Sequence, residues 1–391
     1  MNKKRKICFV ITSFIHYSRN FLILEELRRR DDTELHIIVG GAALLPKYLS
    51  KFTNIKEELR RGGFTHIHDA YFNLEGSDGI TKAKTAGLGT IEFSTIFGAI
   101  QPDLVLVRGD RFEVLAAATA AAYMNIPVAH IEGGDVSGTL DESVRHAITK
   151  LAHIHFTTNE DARKRVICMG ERPEYVFNFG SPDVELVHKA ATDSADVIDF
   201  DETGSGARIA FNNDFLMVMY HPVSTEVGTL GEKTRMLLEA VHETGMPALW
   251  FWPNFDAGAE EISHELRRFR DTAEGHTIRF TRYLPPKVFL ALLKNTKMLI
   301  GNSSAGIKEC SYLGVPVVMT GTRQNGRLRS ENVVEVSDTK EDIKKAIQKQ
   351  MTHGRYPASS MYHGENTAER IAETLATVPL YIQKTFHEQE P

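Results

Sequence analysis

The 391-residue sequence contains only three cysteines, Cys8, Cys168 and Cys310. An odd number placed so far apart builds neither a disulfide framework nor a zinc pattern, and it points to a reducing cytoplasm. A basic excess is also missing, because 46 Lys and Arg stand against 51 Asp and Glu, for a formal charge of −5. Such a chain cannot neutralise phosphates along a duplex, which argues against a nucleic-acid partner. No apolar run approaches the roughly 18 residues that a membrane-spanning helix needs, so no membrane partner is expected. The basic start runs into the short apolar stretch Ile7 to Ile11, but polar residues follow at once. No small-residue cleavage site appears, so a secretion signal is not expected.

What the chain does have is regular alternation. Ile7–Thr12, Leu35–Val39, Leu104–Val107, Val128–Ile131, Ile154–Thr157 and Val176–Phe179 read as buried strands, with helical patterns at Phe112–Tyr123, Asp141–Leu151 and Asn159–Met169. Strands buried on both faces and separated by helices imply a parallel sheet. Residues 192–206, acidic and rich in Gly and Ser, read as a linker or exposed excursion. The alternation then restarts with strands at Leu216–Tyr220, Ala248–Trp252, Ile278–Thr281, Met298–Ile300 and Val317–Thr320. Helices are expected at Lys233–Glu243, Glu260–Arg270, Lys287–Lys294 and Ile307–Leu313, and a last one from near Thr367 to before Pro379. The expected fold is therefore α/β, with two Rossmann-like, doubly wound domains facing a cleft. The first domain spans 1–185 and the second 207–365, and the segment 366–391 carries the terminal helix.

Ligands of open α/β sheets bind beyond the carboxyl ends of the strands, so the residues there matter most. In the first half, Leu104–Val107 runs into Arg108-Gly109-Asp110-Arg111, and Val128–Ile131 into Glu132-Gly133-Gly134-Asp135. Asp141 and Glu142 open the helix that carries Arg145 and His146. Helix capping is the plainer reading of Asp141 and Glu142, since the helix dipole favours acids in a first turn. It fits Glu132 poorly, because that residue sits beside two glycines directly after a strand. Carboxylates gathered at one rim raise one another's pKa values and can act as acid and base near neutrality.

The second half differs. Met298–Ile300 ends in Gly301-Asn302-Ser303-Ser304-Ala305-Gly306, where small residues, free N–H groups and hydroxyls suit a phosphate or diphosphate. A serine N-cap is the plainer alternative. Neither a Walker loop nor a dinucleotide fingerprint is present. Glu309 could reach a ribose, and His221, Asn254 and Arg323 follow other strands. Together these residues suit a nucleotide-diphosphate substrate whose other half reacts.

The strings Arg108-Gly109-Asp110-Arg111-Phe112, His130 to Thr139 and Ser143 to His153 resemble the hydrolysing UDP-N-acetylglucosamine 2-epimerases. His221-Pro222-Val223, Pro253 to Gly258, Gly301-Asn302-Ser303-Ser304 and Gly321-Thr322-Arg323-Gln324 do so as well, and the likeness is greatest to the sialic-acid and legionaminic-acid branch. The resemblance implies a glycosyltransferase-B-like fold whose last helix crosses back to the first domain. It implies conversion of UDP-N-acetylglucosamine and water to N-acetylmannosamine and UDP through a 2-acetamidoglucal, without cofactor or metal. Asp110, Glu132 and Asp141 match the essential carboxylates, with Glu142 as neighbour, and His221 matches the histidine near the leaving diphosphate. Ser303 and Ser304 match diphosphate contacts, and Glu309 the ribose contact. Ser18, Arg111, Asn254 and Arg323 match other substrate-site positions. Relatives suggest a cytoplasmic homodimer or homotetramer.

Four positions depart from the family pattern. Phe14 and His16 stand where an arginine and an aspartate are usual, Ala43 replaces a histidine, and Arg108 replaces the histidine of close relatives. Arg108 or Arg19 could restore the positive charge, or the sugar could be a 2,4-diacetamido-trideoxy hexose on UDP. A glycosyltransferase, a non-hydrolysing epimerase and a regulator without turnover are the alternatives.

Overall fold

The computed structural model describes residues 3–45, 54–76, 78–191, 204–254, 256–272 and 277–388. The chain divides into two compact units. The first comprises Met1–Val136, Leu140–Leu186 and Tyr362–Pro391, and the second Ser137–Thr139 and Val187–Met361.

In the first unit, strands β1 (Arg5–Ile11), β2 (Thr33–Gly40), β3 (His66–Ala70), β4 (Leu104–Arg108), β5 (Val128–Ile131), β6 (Ile154–Thr157) and β7 (Val176–Asn178) form one sheet. Its order is β3-β2-β1-β4-β5-β6-β7, and every pairing is parallel. The helices are α1 (Phe14–Arg29), α2 (Ile55–Arg61), α3 (Gly79–Ile100), α4 (Phe112–Tyr123), α5 (Asp141–Leu151), α6 (Glu160–Cys168) and α7 (Pro182–Ala191), whose last residues belong to the second unit. Alternate residues of a strand face opposite sides, and both sides here are apolar. Ile7, Phe9 and Ile11 enter one core with Leu104 and Leu106, while Cys8 and Val10 enter another with Val105 and Val107.

The second unit carries β8 (Gly204–Gly206), β9 (Leu216–Met219), β10 (Ala248–Phe251), β11 (Ile278–Thr281), β12 (Met298–Gly301), β13 (Val317–Thr320) and β14 (Val333–Val336), in the order β14-β13-β12-β9-β10-β11-β8. Only β8 runs antiparallel. Helices α8 (Leu230–His242), α9 (Ala259–Arg270), α10 (Pro286–Asn295), α11 (Glu309–Leu313) and α12 (Lys340–His353) flank it, and Trp250, Phe280, Leu237 and Ile262 pack in its core. The last helix, α13 (Thr367–Thr377), returns to the first unit, where Ala368, Ile371, Ala372 and Leu375 join the same core as Ile7.

Several differences from the sequence reading have local causes. Residues 192–203 of the expected linker lie outside the described residues, but its end, Gly204–Gly206, is strand β8 paired to β11. The first unit resumes at Tyr362 rather than 366, because the Ser181 N–H donates to the Tyr362 carbonyl at 2.8 Å. Phe14 to Ser18, the stretch that departs from the family pattern, open α1, for which no helix was expected; the Ser13 hydroxyl accepts from the His16 N–H at 3.4 Å there. Helix α11 is shorter than Ile307–Leu313, since Ser304–Gly306 first makes a 3-10 turn.

Candidate active site

Strand order in the first sheet reverses between β1 and β4, and the carboxyl ends on either side of such a point are where α/β sheets receive ligands. Arg108 ends β4 and is in register with Ile131, the last residue of β5. Asp110 and Glu132 therefore leave the sheet from adjacent strand ends. Glu132 adopts a left-handed backbone, φ 69°, which turns it out of the strand direction.

The Arg108 guanidinium grips Glu132 with both edge nitrogens, Nε to Oε2 at 3.1 Å and Nη2 to Oε1 at 3.0 Å. Nη2 also donates to Asp183 Oδ1 at 2.6 Å, and Asp183 Oδ2 accepts from Arg19 Nη1 at 3.3 Å. Burial opposes the Arg108 charge, but Asp183 and Glu132 more than offset it and raise its pKa. Its Nη1 is buried and has no hydrogen-bond partner among the described residues.

Asp110 has a cation of its own. The buried Arg145, one turn into α5, donates from Nη2 to Asp110 Oδ2 and from Nη1 to the Asp135 carbonyl at 2.8 Å. Burial opposes this charge too, and Asp110 and Asp135 raise its pKa. The histidines nearby are neutral. His130 Nε2 donates to the Gly109 carbonyl at 2.8 Å, and burial pushes its pKa down to about 3. His16 Nδ1 accepts from the Thr12 N–H at 3.4 Å, and burial, helped by Arg111 and Arg108, pushes it down to about 3. Positive charge at this sheet end therefore comes from arginine. Arg108 and Arg19, the two residues considered as replacements for a lost cation, both converge on Asp183.

The remaining expected residues of this unit lie at or near the starts of helices. Asp141 and Glu142 form the first turn of α5, as the capping reading has it, and Glu142 lies 3.8 Å from His146. Arg111 caps α4 and forks onto the buried Glu113 at 3.0 and 2.9 Å. Ser18 lies within α1 and donates to the Ile15 carbonyl at 3.3 Å.

In the second unit the order reverses between β12 and β9. Gly301, at φ 127°, lets the end of β12 press on β9, because a Cβ there would stand 2.2 Å from the Met219 carbonyl oxygen. The next residue, buried Asn302, ties this end together. Its Oδ1 accepts from the His221 N–H and its Nδ2 donates to the His221 carbonyl, both at 2.7 Å. The Asn302 carbonyl accepts from Arg323 Nη1 at 3.2 Å and from Gln324 at 3.0 Å. The Asn254 N–H donates to His221 Nδ1 at 3.3 Å. Asn302 thus joins His221, through its side chain, to Arg323, through its main-chain carbonyl, and Asn254 joins them through His221. Ser303 Oγ accepts from the Ala305 N–H at 3.3 Å, the cap of the plainer alternative, Ser304 opens the 3-10 turn, and Glu309 begins α11 as a buried residue.

Sequence reasoning missed Arg145, Asp183 and Asn302 as site residues. Arg145 and Asn302 stood inside the motifs already singled out, so their place beside Asp141 and Ser303 was a usable signal. Asp183 follows Pro182 at the start of α7 and carried none.

The model of the UDP-N-acetylglucosamine 2-epimerase family matches residues 25–376. A hydrolysing UDP-N,N'-diacetylbacillosamine 2-epimerase from Legionella pneumophila is 33 % identical over 381 residues, 97 % of each chain. A UDP-N-acetylglucosamine 2-epimerase from Neisseria meningitidis serogroup B is 33 % identical over 360 residues, 90 % of each chain. Among solved structures, the UDP-GlcNAc 2-epimerase of Methanocaldococcus jannaschii in complex with UDP-GlcNAc and UDP matches with a TM-score of 0.74 and 19 % identity. That match covers 95 % of this chain and 99 % of the other, and it shows a shared glycosyltransferase-B-like fold of two α/β units.

Proposed function

Because the chain belongs to the UDP-N-acetylglucosamine 2-epimerase family, we propose that it hydrolyses UDP-N-acetylglucosamine with inversion at C2, releasing N-acetylmannosamine and UDP. The observation that carries this reading is the pair of carboxylates, Asp110 and Glu132, at adjacent strand ends, each held by a buried arginine. Inverting C2 while C1 loses its diphosphate requires one proton to leave and another to return on the opposite face. That demands more than one proton-transfer group around a single ring.

In this reading UDP departs from C1 as the C2 proton is taken, leaving a 2-acetamidoglucal, and water then adds at C1. Asp110, Glu132 and Asp141 move the protons, with Glu142 in support. His221 stabilises charge on the departing diphosphate. Ser303 and Ser304 hold the diphosphate, Glu309 the ribose, and Ser18, Arg111, Asn254 and Arg323 further parts of the substrate. The likeness to the Legionella enzyme favours a second substrate, a UDP sugar with acetamido groups at C2 and C4, acted on in the same way.

The test is UDP release from each sugar nucleotide, with Asp110→Asn and Glu132→Gln alongside the unmodified protein. Each amide variant is expected to lose about 100-fold or more in kcat while its Kd for UDP stays within about threefold. Amide variants of undiminished activity would remove the assigned roles. No UDP from either sugar would remove the reading.

A further inference from the structure

Four charged side chains of the first unit form a line of alternating sign that joins four elements of the fold. Arg19 on α1 meets Asp183 on α7, Asp183 meets Arg108 at the end of β4, and Arg108 meets Glu132 after β5. The middle of the line is buried, with Asp183 1 % and Arg108 3 % exposed, while its ends, Glu132 at 13 % and Arg19 at 22 %, are more open. Burying two charges is costly, and an apolar pair of similar volume is often as stable, so the line is poorly explained as a stabilising device. Its geometry is better suited to orienting its more open carboxylate.

Resting on the reading above, we propose that Asp183 is a positioning residue: it holds the Arg108 fork edge-on to Glu132, which keeps that carboxylate ionised, fixed in direction and able to take a proton. Arg108 Nη2 serves both acids, so Asp183 shares the guanidinium with Glu132 and moderates how strongly Glu132 is held. The other charged or titratable groups around this site are His16 on α1, Asp110 and Arg111 after β4, and Arg145 on α5. His16 is neutral, so the arginines and carboxylates set the field.

Removing the Asp183 charge leaves Glu132 the whole of Arg108, which makes it a weaker base and moves its titration down. Removing Arg19 takes a cation from the far end and moves the Glu132 titration up.

The experiment measures kcat and KM from pH 4.5 to 9 for the unmodified protein, Asp183→Asn, Asp183→Glu and Arg19→Gln, on the UDP-amino sugar that the unmodified protein turns over. Asp183→Asn is expected to lose about tenfold or more in kcat with KM within about twofold, and to keep a larger fraction of its plateau rate at acid pH. Asp183→Glu should recover part of kcat. Arg19→Gln should show its acid limb displaced upward by about half a pH unit or more. A loss confined to thermal stability, or an unmoved acid limb in Arg19→Gln, would overturn the proposal. If Asp183→Asn does not fold, the Arg19→Gln limb decides alone, since Arg19 is the most exposed member. An unmodified protein that releases no UDP from any UDP-amino sugar would overturn the underlying reading and this proposal with it, an outcome distinct from an active enzyme insensitive to Asp183.

Discussion

Glu132 shows how much local structure one side chain can require. Its left-handed backbone costs about 1–2 kcal/mol for a residue with a Cβ, and the neighbouring glycines make the turn possible. Gly134 has φ 78°, and a Cβ there would stand 2.4 Å from the Ala162 carbonyl oxygen on α6. Gly134→Ala is therefore expected to cost about 3 kcal/mol and to lower the melting temperature by several degrees; an unchanged melt would mean that the turn is not under this constraint. The sequence was enough to single out Asp110, Glu132 and the two glycines, because each follows directly from a strand end. The partners were harder to read. Asp183 lies 75 residues from Arg108, and only the packing of α7 against the sheet end brings the two together.

At the scale of elements, the strands buried on both faces were legible almost to the residue. Val128–Ile131, Ile154–Thr157, Ile278–Thr281 and Val317–Thr320 lie where the apolar runs stand. The strands not foreseen, β3, β8 and β14, lie at or near sheet edges, where one side is open and a continuous apolar run is not required. His66–Ala70 is polar and partly exposed, and Gly204–Gly206 has almost no side chains. The unforeseen α3 is so rich in apolar and small residues that it shows little periodicity.

The segment after α13 shows how a helix of the first unit is anchored. Buried Glu171 accepts from Lys150 and Lys384, both at 2.6 Å, and faces His155 at 3.1 Å. Burial alone would raise the Glu171 pKa, but His155 and the two lysines pull it down to about 2. Its ionised form therefore stabilises the fold above about pH 4.5, and that contribution is lost as pH falls toward 2. Glu171→Gln should destabilise by about 3 kcal/mol and speed hydrogen exchange at the His387 N–H, which donates to the Gly170 carbonyl. Unaltered exchange at His387 would mean that Lys384 does not hold the segment.

For the molecule as a whole, the −5 charge argues against a nucleic-acid partner without identifying a substrate. A chain can bind a diphosphate without being basic when N–H groups, hydroxyls and a few arginines at one place hold the anion. The positive charge at the first sheet end is arginine, and its neutral histidines carry a consequence for pH. His16 and His130 titrate near 6.5 in the unfolded chain and near 3 when folded. Between those values the unfolded chain binds more protons, so stability is greatest above about pH 6.5 and falls as pH drops. The loss is about 2 kcal/mol per histidine by pH 5. Melts at pH 7.5 and 5.0 should show this fall, and His130→Gln should lessen it; an equal fall in the variant would contradict the buried, neutral assignment.

The central claim, proton removal from C2 with loss of UDP to water, is tested most directly by proton NMR in deuterated water. The protein is incubated with UDP-N-acetylglucosamine and, separately, with the UDP sugar bearing acetamido groups at C2 and C4. The account predicts free UDP and a free, C2-inverted sugar carrying deuterium at C2 from at least one of them. Release of a sugar with its original C2 proton, or no release from either, would contradict it.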